Sequence, residues 1–199
     1  MSTSLPRIAL ALAVVMSVAG CTTQPVEPGP DDVTVLVDVP GGVAASSARH
    51  GPFHEEMGLA SGFTHDAIGA AIAATHLSPR LSATAGVDVA TATLLQQCWG
   101  DVTTATARLR TTPPLSDRPP PDDRTPDALY FRLIGGDPDG EYVVVSVLAD
   151  TPQARVQHGY ARFDATLRWS GADWQLRVPI QGAALHPDLD GYTLLGARP

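Results

Sequence analysis

The chain contains no lysine: all 13 of its basic residues are arginine, against 21 Asp and Glu. With the high Ala and Pro content, that absence reads as a GC-rich coding bias. The formal charge of −8 disfavours nucleic acid or an acidic surface as the main partner. Only two cysteines are present, Cys21 and Cys98, so no disulfide framework holds the domain and its own core must. The longest apolar run, Ile8 to Gly20, falls short of the roughly 20 residues of a spanning helix. Catalytic signatures are missing as well. His54-Glu55-Glu56 begins like a zinc-protease helix, but the second histidine would fall at Gly58. No Ser-His-Asp or Cys-His pattern stands out, and Cys98 lies between Gln97 and Trp99 with no base nearby. These absences argue against an enzyme, a bound metal and a cofactor.

What is present begins at the N-terminus. Arg7 supplies a positive flank, the uncharged run follows, and Val18-Ala19-Gly20 ends it with small residues, as in a signal peptide. The segment Ser17-Val18-Ala19-Gly20-Cys21 resembles the lipobox of bacterial lipoproteins. That resemblance implies lipidation of Cys21, cleavage before it, and a location on the outer face of the cell membrane. Two acyl chains anchor stably, at about 0.8 kcal/mol for each buried methylene. Cys98 is then left without an intrachain partner. Thr22 to Asp32 alternates prolines with polar residues and reads as a semi-extended tether, roughly 30 Å long at about 3.1 Å per residue. Val33 to Ala48 holds a short β-branched run before Pro40-Gly41-Gly42, an edge strand or more tether; we assign it to the tether. The expected organisation is a signal peptide at 1–20, a lipidated Cys and Pro-rich tether at 21–49, and one α+β domain at 50–199.

Within the domain the chain divides into a helical and a β half. Thr64 is placed to cap a helix over Asp66–His76, which ends before Ser78-Pro79. Its surface is almost all Ala, Ile and Gly, which suits close packing. A second helix is expected from about Val87 to Gln97, with Val87, Ala90, Leu94 and Cys98 on its apolar stripe, and a third over Asp101–Arg110. On that stripe Cys98 reads as a buried thiol. Residues 111–127 hold six prolines and form a loop. Strands follow at Leu129–Ile134 and Glu141–Ala149, then Gly159–Trp169 turning at Ser170–Asp173 into Trp174–Val178. In that last hairpin Ala161, Phe163, Leu167, Trp169, Trp174, Leu176 and Val178 share one face. Arg162, Asp164, Thr166, Arg168, Gln175 and Arg177 share the other. N-terminal helices on one face of a curved antiparallel sheet are the α+β plan these patterns predict.

Several segments resemble a family. Gly51-Pro52, Gly58, Gly62-Phe63-Thr64-His65 and Gly69 to Ala74 are similar to the start of a domain in actinobacterial lipoproteins associated with conjugative elements. Thr166–Trp169 with Asp173–Arg177 resembles that family's final strands, and Asp190-Gly191-Tyr192 with Gly196 its C-terminal segment. The resemblance implies an NTF2-like, cystatin-like cone of the VirB8-like kind. It further implies a non-enzymatic domain acting through contacts with envelope proteins, as an accessory of a conjugation or type IV secretion apparatus. The alternative is a cone that binds or transforms a small molecule.

The candidate residues follow from these readings. Arg162, Arg168 and Arg177 line one sheet face, where guanidinium forks suit an acidic partner surface; a solvated sheet face is the simpler account of the same residues. His65, Tyr142 and Asp164 are the polar groups expected to line a pocket between the first helix and the sheet; for His65 the competing role is at the helix cap. Asp137-Pro138-Asp139-Gly140-Glu141 offers oxygen ligands for calcium, and a hairpin turn accounts for the same residues.

Overall fold

The computed structural model describes residues 34–111 and 124–198. The signal peptide, Cys21, the tether up to residue 33 and the centre of the proline-rich loop lie outside the described residues. In chain order the elements are β1 (Thr34–Val39), β2 (Gly42–Ser47), β3 (His54–Glu56), β4 (Leu59–Ser61), α1 (Ala67–Arg80), α2 (Val87–Gln97), β5 (Cys98–Gly100) and α3 (Val102–Thr111). Then follow β6 (Ala128–Gly136), β7 (Tyr142–Asp150), α4 (Pro152–Val156), β8 (Tyr160–Trp169), β9 (Trp174–Val178), β10 (Ala184–His186) and β11 (Thr193–Ala197). The class is α+β. One large curled sheet runs β2-β1-β11-β6-β7-β8-β9-β5, with β10 beside β8, and β3–β4 forms a separate hairpin.

Two expectations need correction. The sheet is mixed rather than antiparallel: β1 runs parallel to β11, and β5 parallel to β9. Both parallel pairs join strands distant in sequence, where no hairpin dictates direction. Residues 34–47, assigned to the tether, are a β-hairpin paired from Thr34↔Ser47 to Val39↔Gly42. Its apolar signal is weak because the buried residues are small, Ala44 and Ala45, which lie fully buried where β2 packs on α1. The turn at Pro40-Gly41 needs glycine: Gly41 has φ +86, and a Cβ there would come within 2.1 Å of the Pro79 carbonyl oxygen.

Helix α1 starts and ends later than its sequence suggests. Asp66, not Thr64, is the cap, its carboxylate accepting from the Gly69 N–H at 2.7 Å. The Thr64 hydroxyl pairs instead with His50 Nδ1 at 3.1 Å, and its carbonyl accepts from the Trp174 indole N–H at 2.9 Å. At the other end α1 runs through Pro79 to Arg80. Proline there forfeits one backbone bond close to the helix end, while the continuation buries Leu77 and Arg80 fully.

That extension places a polar network under the sheet edge. Ala45 of β2 gives its N–H to the Thr75 hydroxyl (3.1 Å) and its carbonyl accepts from His76 Nε2–H (2.9 Å). Helix side chains thereby take up backbone groups that an edge strand would otherwise leave unpaired. Arg80 donates to His76 Nδ1, the His76 carbonyl, the Gly58 carbonyl and Glu55. With one ring nitrogen donating and the other accepting, His76 is neutral. Burial, followed by the charge of Arg80, depresses its pKa to about 3. His54-Glu55-Glu56 is therefore strand β3, tied to α1 through Glu55 and Arg80.

The inner face of the sheet carries Val143, Val145, Val147, Ala165, Leu167, Trp174 and Leu176, all essentially buried against Ala70, Ala71, Ile72, Ala73 and Ala74 of α1. Each fully buried Val, Leu or Ile contributes about 1.5–3 kcal/mol. The small helix residues let backbone and sheet approach closely. Helix α2 spans the expected residues, with Ala90, Thr93 and Leu94 buried but Val87 exposed. The outer face is covered at its centre: Leu148 and Ser146 are fully buried there, and the Tyr192 hydroxyl reaches Ser146 at 2.8 Å.

Candidate functional site

The three residues expected to share a pocket do not converge. His65 stacks on Trp169 with ring centroids 4.2 Å apart, meets Trp174 edge-on at 5.2 Å, and hydrogen-bonds the Gly140 carbonyl at 2.8 Å. It is neither helix cap nor pocket wall but part of an aromatic plug. Asp164 lies on the outer face, held by Arg162 at 2.7 Å and by the Ser146 hydroxyl at 2.6 Å. Burial opposes its ionisation, but the hydrogen bonds from Arg162 and Ser146 prevail and keep the carboxyl below its usual range. Tyr142 is 42% exposed and tilts toward Trp99, also on the outer face. Cys98 is a buried thiol in β5, pushed up to about 12 by burial alone, and so not a nucleophile near neutral pH. Residues 137–140 close a turn, with the Asp139 N–H on the Asp137 carboxylate. Among the described residues no three His, Cys, Asp or Glu side chains converge as metal ligands.

The arginine trio divides. Arg162 is committed to Asp164. Arg168 and Arg177 instead flank one indole, with guanidinium carbons 5.0 and 5.6 Å from the Trp99 ring centre. The register explains this: Trp99 of β5 stands opposite Arg177 of β9, and Arg168 of β8 opposite Gln175, whose amide oxygen accepts from Arg168 at 2.7 Å. Among the described residues neither guanidinium has a carboxylate within ion-pair distance, whereas carboxylates hold Arg80, Arg155, Arg162 and Arg198.

The structure opens a cavity of about 740 Å³ at the end of α1 that the sequence left unexamined. Its roof is the last two turns of α1 and the linker after it, with Thr75, Ser78 and Leu81. Leu94 of α2 and Ala105 and Leu109 of α3 close one side. Leu129, Ala149 and Phe163 form the sheet wall, and residues 178–183 a strap between β9 and β10. The space between α1 and the sheet, where a pocket was expected, is filled in part, with Ile72 and Leu167 fully buried, while Thr75 and Phe163 of the same space line the open chamber. Beyond them the sheet wall of the chamber includes the small Ala149, and no residue of α3 is buried. Small side chains opposite a loosely seated helix leave the volume open. No residue pattern in the sequence marks this volume, which depends on α1 continuing past His76 and on the strap after β9.

The described residues thus form an α+β domain with a curled mixed sheet wrapped on one long helix and an apolar chamber at the helix's far end. The chain belongs to the family described as Domain of unknown function (DUF8175), which it matches over residues 16–194. Comparison with curated proteins gives no match. Comparison with solved structures gives none either.

Proposed function

We propose that this is a lipid-anchored, extracytoplasmic binding domain of NTF2-like plan, which takes a small apolar molecule into the cavity under α1. The anchor is the lipid on Cys21, supported by the lipobox-like segment. The observation that carries the binding role is the cavity itself, whose volume is that of pockets for drug-sized ligands. Its described walls carry hydroxyls and arginines but no histidine, thiol or carboxylate to act as a general base, which supports binding without catalysis. The test uses the full chain carrying Cys21→Ser, titrated with the neutral probe N-phenyl-1-naphthylamine. Saturable binding with blue-shifted emission is expected. Ala149→Phe, which fills the chamber, should abolish it while thermal unfolding stays cooperative. Absence of binding by the parent chain overturns the reading. Incorporation of a clickable fatty acid in cells, lost in Cys21→Ser, tests the anchor.

A second reading, docking of an acidic envelope protein of the conjugation or secretion class, is favoured by Arg168 and Arg177 on Trp99. Joint replacement of both arginines by Glu should remove crosslinks to neighbours in cells. Crosslinks unchanged in that variant would dismiss it.

A further inference from the structure

The arginine pair on the outer face carries more information than its charge, because the sheet register fixes its spacing. Arg168 of β8 stands opposite Gln175 of β9, and Arg177 lies two residues further along β9. The two arginines are thus diagonal neighbours on one face, with Cα atoms about 7–8 Å apart. Both guanidinium groups rest against the Trp99 indole. That ring is itself held, its N–H donating to the Gln175 backbone carbonyl at 3.2 Å. Arg168 is held further by the Gln175 side chain, while Arg177 is exposed. Stems packed on a fixed ring lose less freedom when their forks engage a partner. This end of the outer face is also uncovered: Tyr142, beside Trp99, is exposed, whereas Leu148 and Ser146 further along β7 are buried where Tyr192 reaches Ser146.

The spacing selects a geometry in the partner. In an extended segment alternate side chains point to the same face, about 7 Å apart, whereas adjacent ones point to opposite faces. Two carboxylates at alternate positions therefore reach both arginines at once, and two at adjacent positions do not. The formal charge of −8 sets a broad anionic surface, such as a membrane, against the domain as a whole. A short acidic segment meets the arginines alone.

We infer that the outer face docks a protein through an extended segment with acidic residues at alternate positions, its carboxylates on Arg168 and Arg177. This rests on the acidic-partner reading. The probes are two end-capped peptides of identical composition, Gly-Ser-Glu-Thr-Glu-Ser-Gly and Gly-Ser-Glu-Glu-Thr-Ser-Gly. Each is titrated at constant ionic strength into the isotope-labelled full chain carrying Cys21→Ser. The readout is the indole N–H resonance of Trp99, assigned with Trp99→Phe. The alternating peptide should bind about threefold more tightly than the adjacent one, as one further exposed charge pair implies. Arg168→Gln with Arg177→Gln should remove that preference. The indole resonances of Trp169 and Trp174 should stay in place in the double variant, which reports an intact fold. Equal binding of the two peptides by the parent overturns this inference while the acidic-partner reading stands. A larger response to phosphatidylglycerol vesicles than to the alternating peptide, at equal negative charge, overturns it in favour of a membrane surface. No response to either peptide overturns it as well, and crosslinks that persist in cells after charge reversal remove both readings.

Discussion

The two ends of α1 meet the same sheet with opposite results. At the first turns, aromatic side chains from β8 and β9 fill the space: Trp174 is 1% exposed, Trp169 and His65 stack on each other and meet it edge-on, and Asp173 clamps the lead-in loop. That carboxylate accepts N–H groups from Gly62, Phe63 and Trp174, and burial still pushes its pKa above the usual range. At the last turns, β7 and β8 offer Ala149 and Phe163, and the chamber opens. The helix face is mostly small from Gly69 to Ala74, while His76, Leu77 and Arg80 are buried in its last turns, and the opposing strands differ at the two ends. A poly-alanine face is compatible with either a sealed core or a binding site, and only its partner distinguishes them.

The largest test of that contrast compares one aromatic from each end. Trp174→Ala should cost about 3–5 kcal/mol, because a buried indole leaves a cavity that close-packed neighbours cannot collapse into. Phe163→Ala should cost only about 1–2 kcal/mol, since Phe163 is partly exposed and one side of its ring already lacks contacts. Urea unfolding midpoints measure both. Equal costs would mean the two ends are packed alike and would break the comparison.

Between the two ends lies His76, and it makes stability depend on pH. Its folded pKa, about 3, lies below the 6.5 of the unfolded chain. Between those values the unfolded state binds the proton that the folded state rejects. This contribution is complete above pH 6.5 and is lost as pH falls toward 3, by up to about 1.4 kcal/mol per unit. His76→Gln, which keeps a donor for the Ala45 carbonyl, should be less stable than the parent at pH 7 and show a shallower decline between pH 6 and 4. Parallel declines in the two proteins would show that carboxylates alone carry the acid sensitivity.

Where the sequence could be read, local chemistry and packing agree. Strict alternation gave β8 and β9 their faces, and the apolar stripe placed α2. Cys98 sat on an apolar stripe and is buried, though in a short strand rather than on the helix. The misreadings share a cause, which is that long-range packing overrode local signals. Ala44 and Ala45 look too small for strand residues until α1 covers them, and Pro79 looks like a stop until Arg80 finds the Gly58 carbonyl and Glu55. The candidate site was less legible than the fold. Arg168 and Arg177 were placed on one face by period alone, but Trp99 between them comes from a strand paired with β9 from 76 residues away. The cavity needed the β9–β10 strap and three helices to be positioned together, and no residue pattern encodes an empty volume.

The finest test adds carbon at each end instead of removing it. Ala73 of α1 is fully buried, so Ala73→Leu should force strain on the closed packing and cost about 1–3 kcal/mol. Ala149 of β7 faces the open chamber, so Ala149→Val gains buried surface and strand propensity together. It should stabilise the protein by up to about 1 kcal/mol, the same kind of change with the opposite sign. Thermal unfolding of the two variants beside the parent measures both. The sign is more informative than the size: a destabilising Ala149→Val would mean the chamber wall is already in contact with other atoms, and that the end of α1 described as open is closed in solution.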